Sequence, residues 1–255
     1  MANDKSWVKI FKDYKILEHN FDDAPYELSA QQIKKACQKF KETNQKEVRV
    51  LCKQDTRLDR PKIFIDNNLF LLPIKNGNYF IIKGEGYVDI PEIETEIKTY
   101  YSKLDFRLET SEIGNSEMQH LDFAYASSLI RTFMNDDSLV LTIRGRKYTP
   151  AFTFNVGKFM IETQSVQTEV DAGYEGRDKI VLIEAKNSNT NNTIIRQLFY
   201  PFKQWQSHTK KKVYLLFFEK RGIIFNIWQY GFSDENDYNS IVLIKSDRYQ
   251  INNSF

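Results

Sequence analysis

The chain has 255 residues, 41% of them hydrophobic and 14% aromatic, with a formal net charge of +2. That composition excludes a disordered chain and allows one elaborated domain or two small ones, while the near-neutral charge excludes a polyanion binder coated with lysine. Two cysteines, Cys37 and Cys52, give neither a disulfide framework nor metal-ligand spacing, three scattered histidines give no zinc motif, and no phosphate loop, dinucleotide fingerprint or nucleophile elbow occurs.

The opening MANDKSWVKIF has no apolar leader core, and no apolar stretch reaches the roughly eighteen residues of a membrane span. The expectation is a soluble, unprocessed, cytoplasmic protein with no membrane partner. Ser29 followed by AQQIKKACQKFKETN predicts a capped helix with Ile33, Ala36, Cys37 and Phe40 on one face. Between about Glu47 and Ile90 apolar runs alternate with turn signals (VRVLC, KIFIDNN, LFLLPI, YFIIKGEGYVDI), with a hairpin at Asn76-Gly77 and a weaker turn at Asn67-Asn68. These residues read as a small β-rich region. Lys53, Arg57, Arg60 and Lys62 within it suit a solvated face better than a phosphate contact.

Beyond Pro91 the segment IETEIKTYYSKL predicts a helix, and GNSEMQHLDFAYASSLIRTFMND a second one capped near Ser116, with Met118, Leu121, Ala124, Tyr125, Leu129 and Phe133 on one face. Then come strand SLVLTI, turn RGRK, strand AFTFNV, a hairpin at Gly157-Lys158, strand KFMIETQSVQTEVDAG and strand KIVLIEAK. The interval NSNTNN leads into a helix TIIRQLFYPFKQWQSH that Thr193 would cap and Pro201 would bend or end. VYLLFF and IIFNIWQY form a closing hairpin flanking the sheet.

The chemistry concentrates in VDAGYEGRDKIVLIEAKNS. Residues two apart on a strand share a face, so Glu184 and Lys186 point the same way, and the turn brings Asp171 beside them. The run Ile180 to Ile183 is apolar enough to be buried on both faces, and a charged pair appended to it is costly unless compensated. Two carboxylates and an ammonium at a sheet edge meet two demands of phosphodiester hydrolysis: oxygen ligands for a hard cation such as Mg²⁺, and an oriented water. The competing reading is a polar turn followed by a surface ion pair.

Val170-Asp171 followed by Val181-Leu182-Ile183-Glu184-Ala185-Lys186 resembles the signature of the PD-(D/E)XK nuclease superfamily, and specifically its type II restriction endonucleases, with Val170 where the motif has proline. The segments EVRVLCKQDTRLDRPKIFIDNNLFLLPI, RGRKYTPAFTFNVG and IIRQLFYPFKQW extend the likeness. The resemblance implies that Asp171, Glu184 and Lys186 are catalytic, that Asp171, Glu184 and the Ala185 carbonyl bind Mg²⁺, and that Lys186 positions the attacking water. In such nucleases an acid on the preceding helix sometimes adds a metal contact, a role open to Glu117 or Asp122, although both also suit an exposed helix start. Many carry a glutamine on the helix after the lysine strand, here Gln197. Glu169 shares strand parity with Asp171 and is a further accessory candidate.

The fold expected is α/β (α+β), a mixed central β-sheet flanked by helices in a restriction-endonuclease-like core over residues 96–255, with a smaller helix-plus-sheet region over residues 1–95 that would assist DNA recognition. Two acid-free stretches hold candidate cations for phosphates, Arg144, Arg146 and Lys147 in one, and Arg196, Lys203, Lys210, Lys211 and Lys212 in the other; the competing readings are an ordinary turn at RGRK and a solvated loop at Lys210 to Lys212. The aromatic residues Tyr200, Phe202, Trp205 and Trp228 read as core in preference to base-stacking platforms. The function expected is sequence-specific, Mg²⁺-dependent cleavage of double-stranded DNA by a homodimer, alongside a companion DNA methyltransferase that protects host sites. The alternatives are a repair or junction-resolving nuclease of the same superfamily and a noncatalytic DNA-binding regulatory protein.

Overall fold

A computed structural model describes residues 3–187 and 190–252. The chain opens with α1 (Asp4–Asp13), β1 (Tyr26–Ser29), α2 (Ala30–Cys37), two single-turn helices α3 (Thr43–Lys46) and α4 (Val48–Leu51), and α5 (Lys62–Asp66). A hairpin follows, β2 (Leu69–Lys75) and β3 (Asn78–Lys83), then β4 (Tyr87–Asp89) and β5 (Lys98–Tyr101). Next are α6 (Glu117–Ala126), α7 (Leu129–Met134), β6 (Val140–Tyr148), the hairpin β7 (Phe152–Val156) and β8 (Phe159–Thr163), β9 (Gln167–Glu175) and β10 (Lys179–Lys186). The chain continues through β11 (Asn192–Ile194), α8 (Arg196–Gln206), β12 (Lys212–Arg221), β13 (Ile224–Phe232) and β14 (Ile241–Asn252).

Seven strands form the central mixed sheet in the order β5-β14-β13-β12-β10-β9-β6. β10 and β12 run parallel, joined by a crossover through α8, and β9 lies antiparallel on the other side of β10. β10 is therefore an interior strand, and its residues alternate between two cores. Val181, Ile183 and Ala185 pack under α6 and α7 with Leu121, Ala124 and Ile130, whereas Ile180 and Leu182 pack under α8 with Leu198 and Phe202. This is the α+β arrangement expected from the sequence.

The smaller region has its own sheet, β1-β3-β2. One face, with Leu69, Leu71 and Ile81, closes over Trp7, Ile10, Ile33 and Phe64 from the surrounding helices. The other, with Phe70, Leu72 and Ile82, packs on Phe154, Ile161, Phe199, Tyr200 and Tyr238. The small sheet therefore seats directly against α8 and the β7/β8 hairpin. The segment between α4 and α5 strengthens this seat: Ile194 N–H donates to Asp55 O at 2.8 Å, Arg57 N–H to Asn192 Oδ1 at 2.7 Å, and Tyr87 hydroxyl to Gln54 O at 3.0 Å.

Several local expectations hold. Ser29 caps α2 with a reciprocal capping box to Gln32, Ser116 caps α6, and Gly77 makes the β2/β3 turn at φ +78°. Tyr200, Phe202 and Trp228 are core, and Trp205 is half-buried against it.

Others are corrected. VRVL and KIFID are single helical turns, because apolar runs this short fit either period. Lys98–Tyr101 is strand β5, not helix, since its β-favouring KTYY finds a partner in the distant end of β14. The helix after Ser116 breaks at Ser128, which takes the left-handed conformation at φ +67°. RGRK is no turn: β6 runs through it, with Gly145 at φ +86° absorbing a pairing irregularity. β8 and β9 are separate strands in different sheets, divided at Ser165 with φ +54°. Thr193 lies in β11 and does not cap α8, while Pro201 sits inside a helix that continues to Gln206. β12 is the fourth of seven strands, so the closing hairpin is central and does not flank the sheet. No predicted element anticipated α1 or β14.

β9 is irregular where it matters most. Val170 packs under α8 and Ala172 under α6, so two positions that regular alternation would place on one face diverge. Pairing with β6 slips between Ile143 and Gly145, opposite this point. Gly173, paired with Ile143, leaves no room for a side chain there, since an added Cβ would lie 2.6 Å from Ile143 Cβ. Replacing Gly173 with alanine is expected to lower stability by about 1–3 kcal/mol in urea unfolding. An unchanged midpoint would show that β9 tolerates the insertion.

Candidate active site

The backbone ladder between β9 and β10 ends at the pair Ile183–Ala172. Asp171 and Glu184 are the next opposed residues. The Ala185 N–H, which no longer meets a β9 carbonyl, donates instead to Asp171 Oδ2 at 2.7 Å. The first acid is thereby fixed by the strand that carries the other two groups.

Glu184 follows Leu182 onto the face covered by α8 and is only 8% exposed. Lys186, two residues on, closes an ion pair with Glu184 Oε1. A carboxylate in this setting loses most of its hydration. Burial pushes the Glu184 carboxyl up to about 7, with Lys186 opposing and Asp171 adding to the rise. Burial likewise raises Asp171, against the Ala185 N–H and Lys186, while the nearby charges of Glu117 and Glu169 raise it further. For Lys186 burial pulls downward, but Glu184, Asp171 and Glu117 outweigh it and hold the ammonium firmly protonated. One cation thus sits among several carboxylates.

The structure draws the three accessory candidates to the same place. Glu117, in the first turn of α6, accepts the Asn187 N–H at Oε1 at 3.0 Å, immediately beyond Lys186. Gln197 Oε1 accepts the Thr193 hydroxyl at 2.6 Å, and its side chain joins Glu169, Val170, Glu184 and Leu198 around a recess of about 10 Å³. That is room for about one water. Glu169 reaches the recess from the irregular part of β9 and pairs with Arg146 at 3.1 Å. Asp122 turns away and pairs with Arg144.

Asp55 was not foreseen in the sequence. It lies about 130 residues before Glu184 and carries no motif, yet its charge adds to the rise at Glu184 and its carboxylate lies 3.6 Å from Arg196. Only the docking of the small sheet brings it near.

The cations expected to meet phosphate are mostly engaged within the chain. Arg144 bonds the Asp171 carbonyl at 3.2 Å as well as Asp122, Lys211 pairs with Glu175, and Lys203 reaches Asn236 at 3.0 Å. Lys147 lies over the Trp205 ring and Lys212 over Tyr214. Lys210 is exposed. These residues do not form one bare basic face.

Residues 82–250 match a family described as a domain of unknown function (DUF6997), and residues 4–81 match a second domain of unknown function (DUF6996). The chain belongs to the DUF6997 family. No curated protein and no solved structure gives a match. The DUF6997 match contains the whole acid–lysine cluster, whereas Asp55 lies in the DUF6996 match. No helix among the described residues is long and apolar enough to cross a membrane.

No group of three or more His, Cys, Asp or Glu side chains among the described residues is drawn together as a metal cluster. The cluster instead offers two opposed carboxylates, Asp171 and Glu184, and the intervening Ala185 main chain; one oxygen of each carboxylate is committed to Ala185 N–H or Lys186. Oxygen-only donors and elevated carboxyl pKa values fit a hard cation, which would relieve the repulsion that burial leaves uncompensated.

A stability consequence follows from Glu184. Its folded-state pKa lies above the ordinary value, so the contribution is fully present below the ordinary carboxyl range and is lost as pH rises through about 7. With chelator present, wild type should lose stability relative to Glu184→Gln between pH 5 and 8, by on the order of 2 kcal/mol. Parallel pH profiles in denaturant titrations would contradict the assignment.

Proposed function

We propose that this protein is a Mg²⁺-dependent endonuclease that hydrolyses phosphodiester bonds in double-stranded DNA. The observation carrying the reading is that Asp171, Glu184 and Lys186 meet at the end of the β9/β10 ladder. Two acids there are raised by burial, and the single ammonium is held protonated. The surrounding order also supports it: helix α6, strands β6, β9 and β10, crossover helix α8 and parallel strand β12 build the framework that the PD-(D/E)XK resemblance implies.

Asp171 and Glu184, with the Ala185 carbonyl, are the groups that would hold Mg²⁺, and Glu117 stands beside them. The chemistry a bound Mg²⁺ supplies is neutralisation of charge building on the phosphate. Lys186 works as a fixed positive charge and hydrogen-bond donor. Because the acids keep it protonated, it orients the attacking water and favours its hydroxide form electrostatically, the proton passing to bulk water and not to Lys186. Asp171 is braced by the Ala185 N–H. Gln197 and Glu169 border the one-water recess beside Glu184.

The finer reading is a type II restriction endonuclease, acting as a homodimer so that two-fold related sites cut both strands, in the cytoplasm, with a companion methyltransferase protecting the same sequence. Digestion of a plasmid of known sequence with Mg²⁺, followed by sequencing of the ends, tests it. Recurrent ends at one two-fold symmetric sequence are expected; ends set by DNA structure would instead identify a repair or junction-resolving enzyme. Asp171→Ala and Lys186→Ala should each reduce cleavage by roughly 10³-fold or more while remaining folded. Wild-type cutting by either variant would remove the mechanism, and DNA binding without any Mg²⁺-dependent product would leave a noncatalytic binder.

Metal binding has a readout apart from cleavage. Mg²⁺ should raise the melting temperature of wild type and leave Asp171→Ala unmoved, because a ligand stabilises only the fold that binds it. Equal shifts in both would place the ion elsewhere.

A further inference from the structure

Beyond the carboxyl ends of the parallel strands β10 and β12 lies a second cavity, about 350 Å³, lined by Asn115, His120, Asn187, Lys220, Arg221 and Gly222. It is large enough for a nucleotide-sized ligand, and it opens at the strand ends where crossover sheets commonly bind ligands. Asn187 directly follows Lys186, so the cavity begins where the acid–lysine cluster ends. Among the described residues its lining carries cations and amides and no carboxylate.

The walls are built rather than incidental. His120, 5% exposed, sits on the inner face of α6 with Nε2 2.8 Å from Asn115 Oδ1, and Asn187 donates its amide to the Asn115 carbonyl. Glu117 holds the Asn187 main chain from below at 3.0 Å. Arg221 is turned back by Glu92 and Glu219. Lys220 differs from it: among the described residues its ammonium has no carboxylate partner, and it lies 5.7 Å from the centre of the Phe225 ring. Its charge is felt at His120, where burial first, and then Lys220, press the imidazole toward its neutral form. A cation left without an acid at the mouth of a polar cavity is arranged for an anion from outside.

We propose that this cavity is a phosphate-binding subsite, in which Lys220 receives a backbone phosphate of the nucleic-acid strand adjacent to the one at Lys186, while Asn115 and Asn187 border the attached nucleotide. The site rests on the hydrolase reading for the identity of its ligand. It differs from the basic residues first suggested by the sequence, most of which are satisfied internally.

The test is binding of a short fluorescein-labelled DNA duplex, followed by anisotropy in chelator so that no cleavage intervenes. Lys220→Ala should weaken binding roughly three- to tenfold and reduce the slope of log Kd against log salt by about one, with Lys220→Arg restoring both. Lys12→Ala, at an exposed position of α1, should change neither by a comparable amount. Thermal melting of each variant confirms that it is folded. Wild-type affinity and slope in Lys220→Ala, an equal loss in Lys12→Ala, or failure of wild type to bind the duplex would overturn the subsite. The plasmid digestion is read separately, so a protein that binds through Lys220 but never cuts would overturn the hydrolase reading alone.

Discussion

A charged pair at the end of an otherwise apolar interior strand is the constraint around which this molecule is arranged. Ile180 to Ile183 are buried on both faces of β10, and the strand then delivers Glu184 and Lys186 into the same protected layer. Burying ions is unfavourable unless hydrogen bonds and opposite charges compensate, so the neighbourhood has to supply them. It does so incompletely: Asp171 spends one oxygen on Ala185 N–H, Lys186 is shared among several acids, and two carboxyls remain raised by burial. These raised acids at the end of the β9/β10 ladder are the observation on which the proposed cation-dependent hydrolysis rests.

The surrounding architecture can be understood as support for that cluster. The β9 irregularity lets Val170 and Ala172 anchor opposite cores while Asp171 faces β10 at the end of the ladder. α6 contributes Glu117 from one side, and α8 contributes Gln197 from the other. α8 is in turn held by the small N-terminal sheet, through Phe70 and Leu72 packing and through Asp55 beside Arg196. The N-terminal region therefore packs against α8 and places Asp55 beside Arg196.

The positive charges divide by the same logic. Arg144 and Arg146 lie on β6 next to the acidic strand and are consumed by Asp122 and Glu169. Lys220, at the far end of the parallel pair, faces no carboxylate among the described residues. A count of basic residues along the chain finds the former and passes over the latter, because unpaired charge is a property of position in the fold and not of composition.

The sequence by itself determined what short-range physics controls. The apolar run of β10 with its i, i+2 acid and lysine marked an interior strand ending in a charged site, Ser29 and Ser116 marked helix starts, and Asn76-Gly77 marked a hairpin; each depends only on neighbours within a few residues. Glu117 and Gln197 were also legible once the helices flanking the acid strands had been recognised. Tertiary structure alone decided the rest. VRVL and KIFID could satisfy either period and became helical turns, KTYY became a strand because β14 offered an edge about 150 residues later, and RGRK stayed extended because β9 paired with it. Asp55, the β9 irregularity and the unpaired state of Lys220 likewise arise from contacts between distant segments, whose energies are decided by packing and charge in three dimensions and leave no local pattern to read.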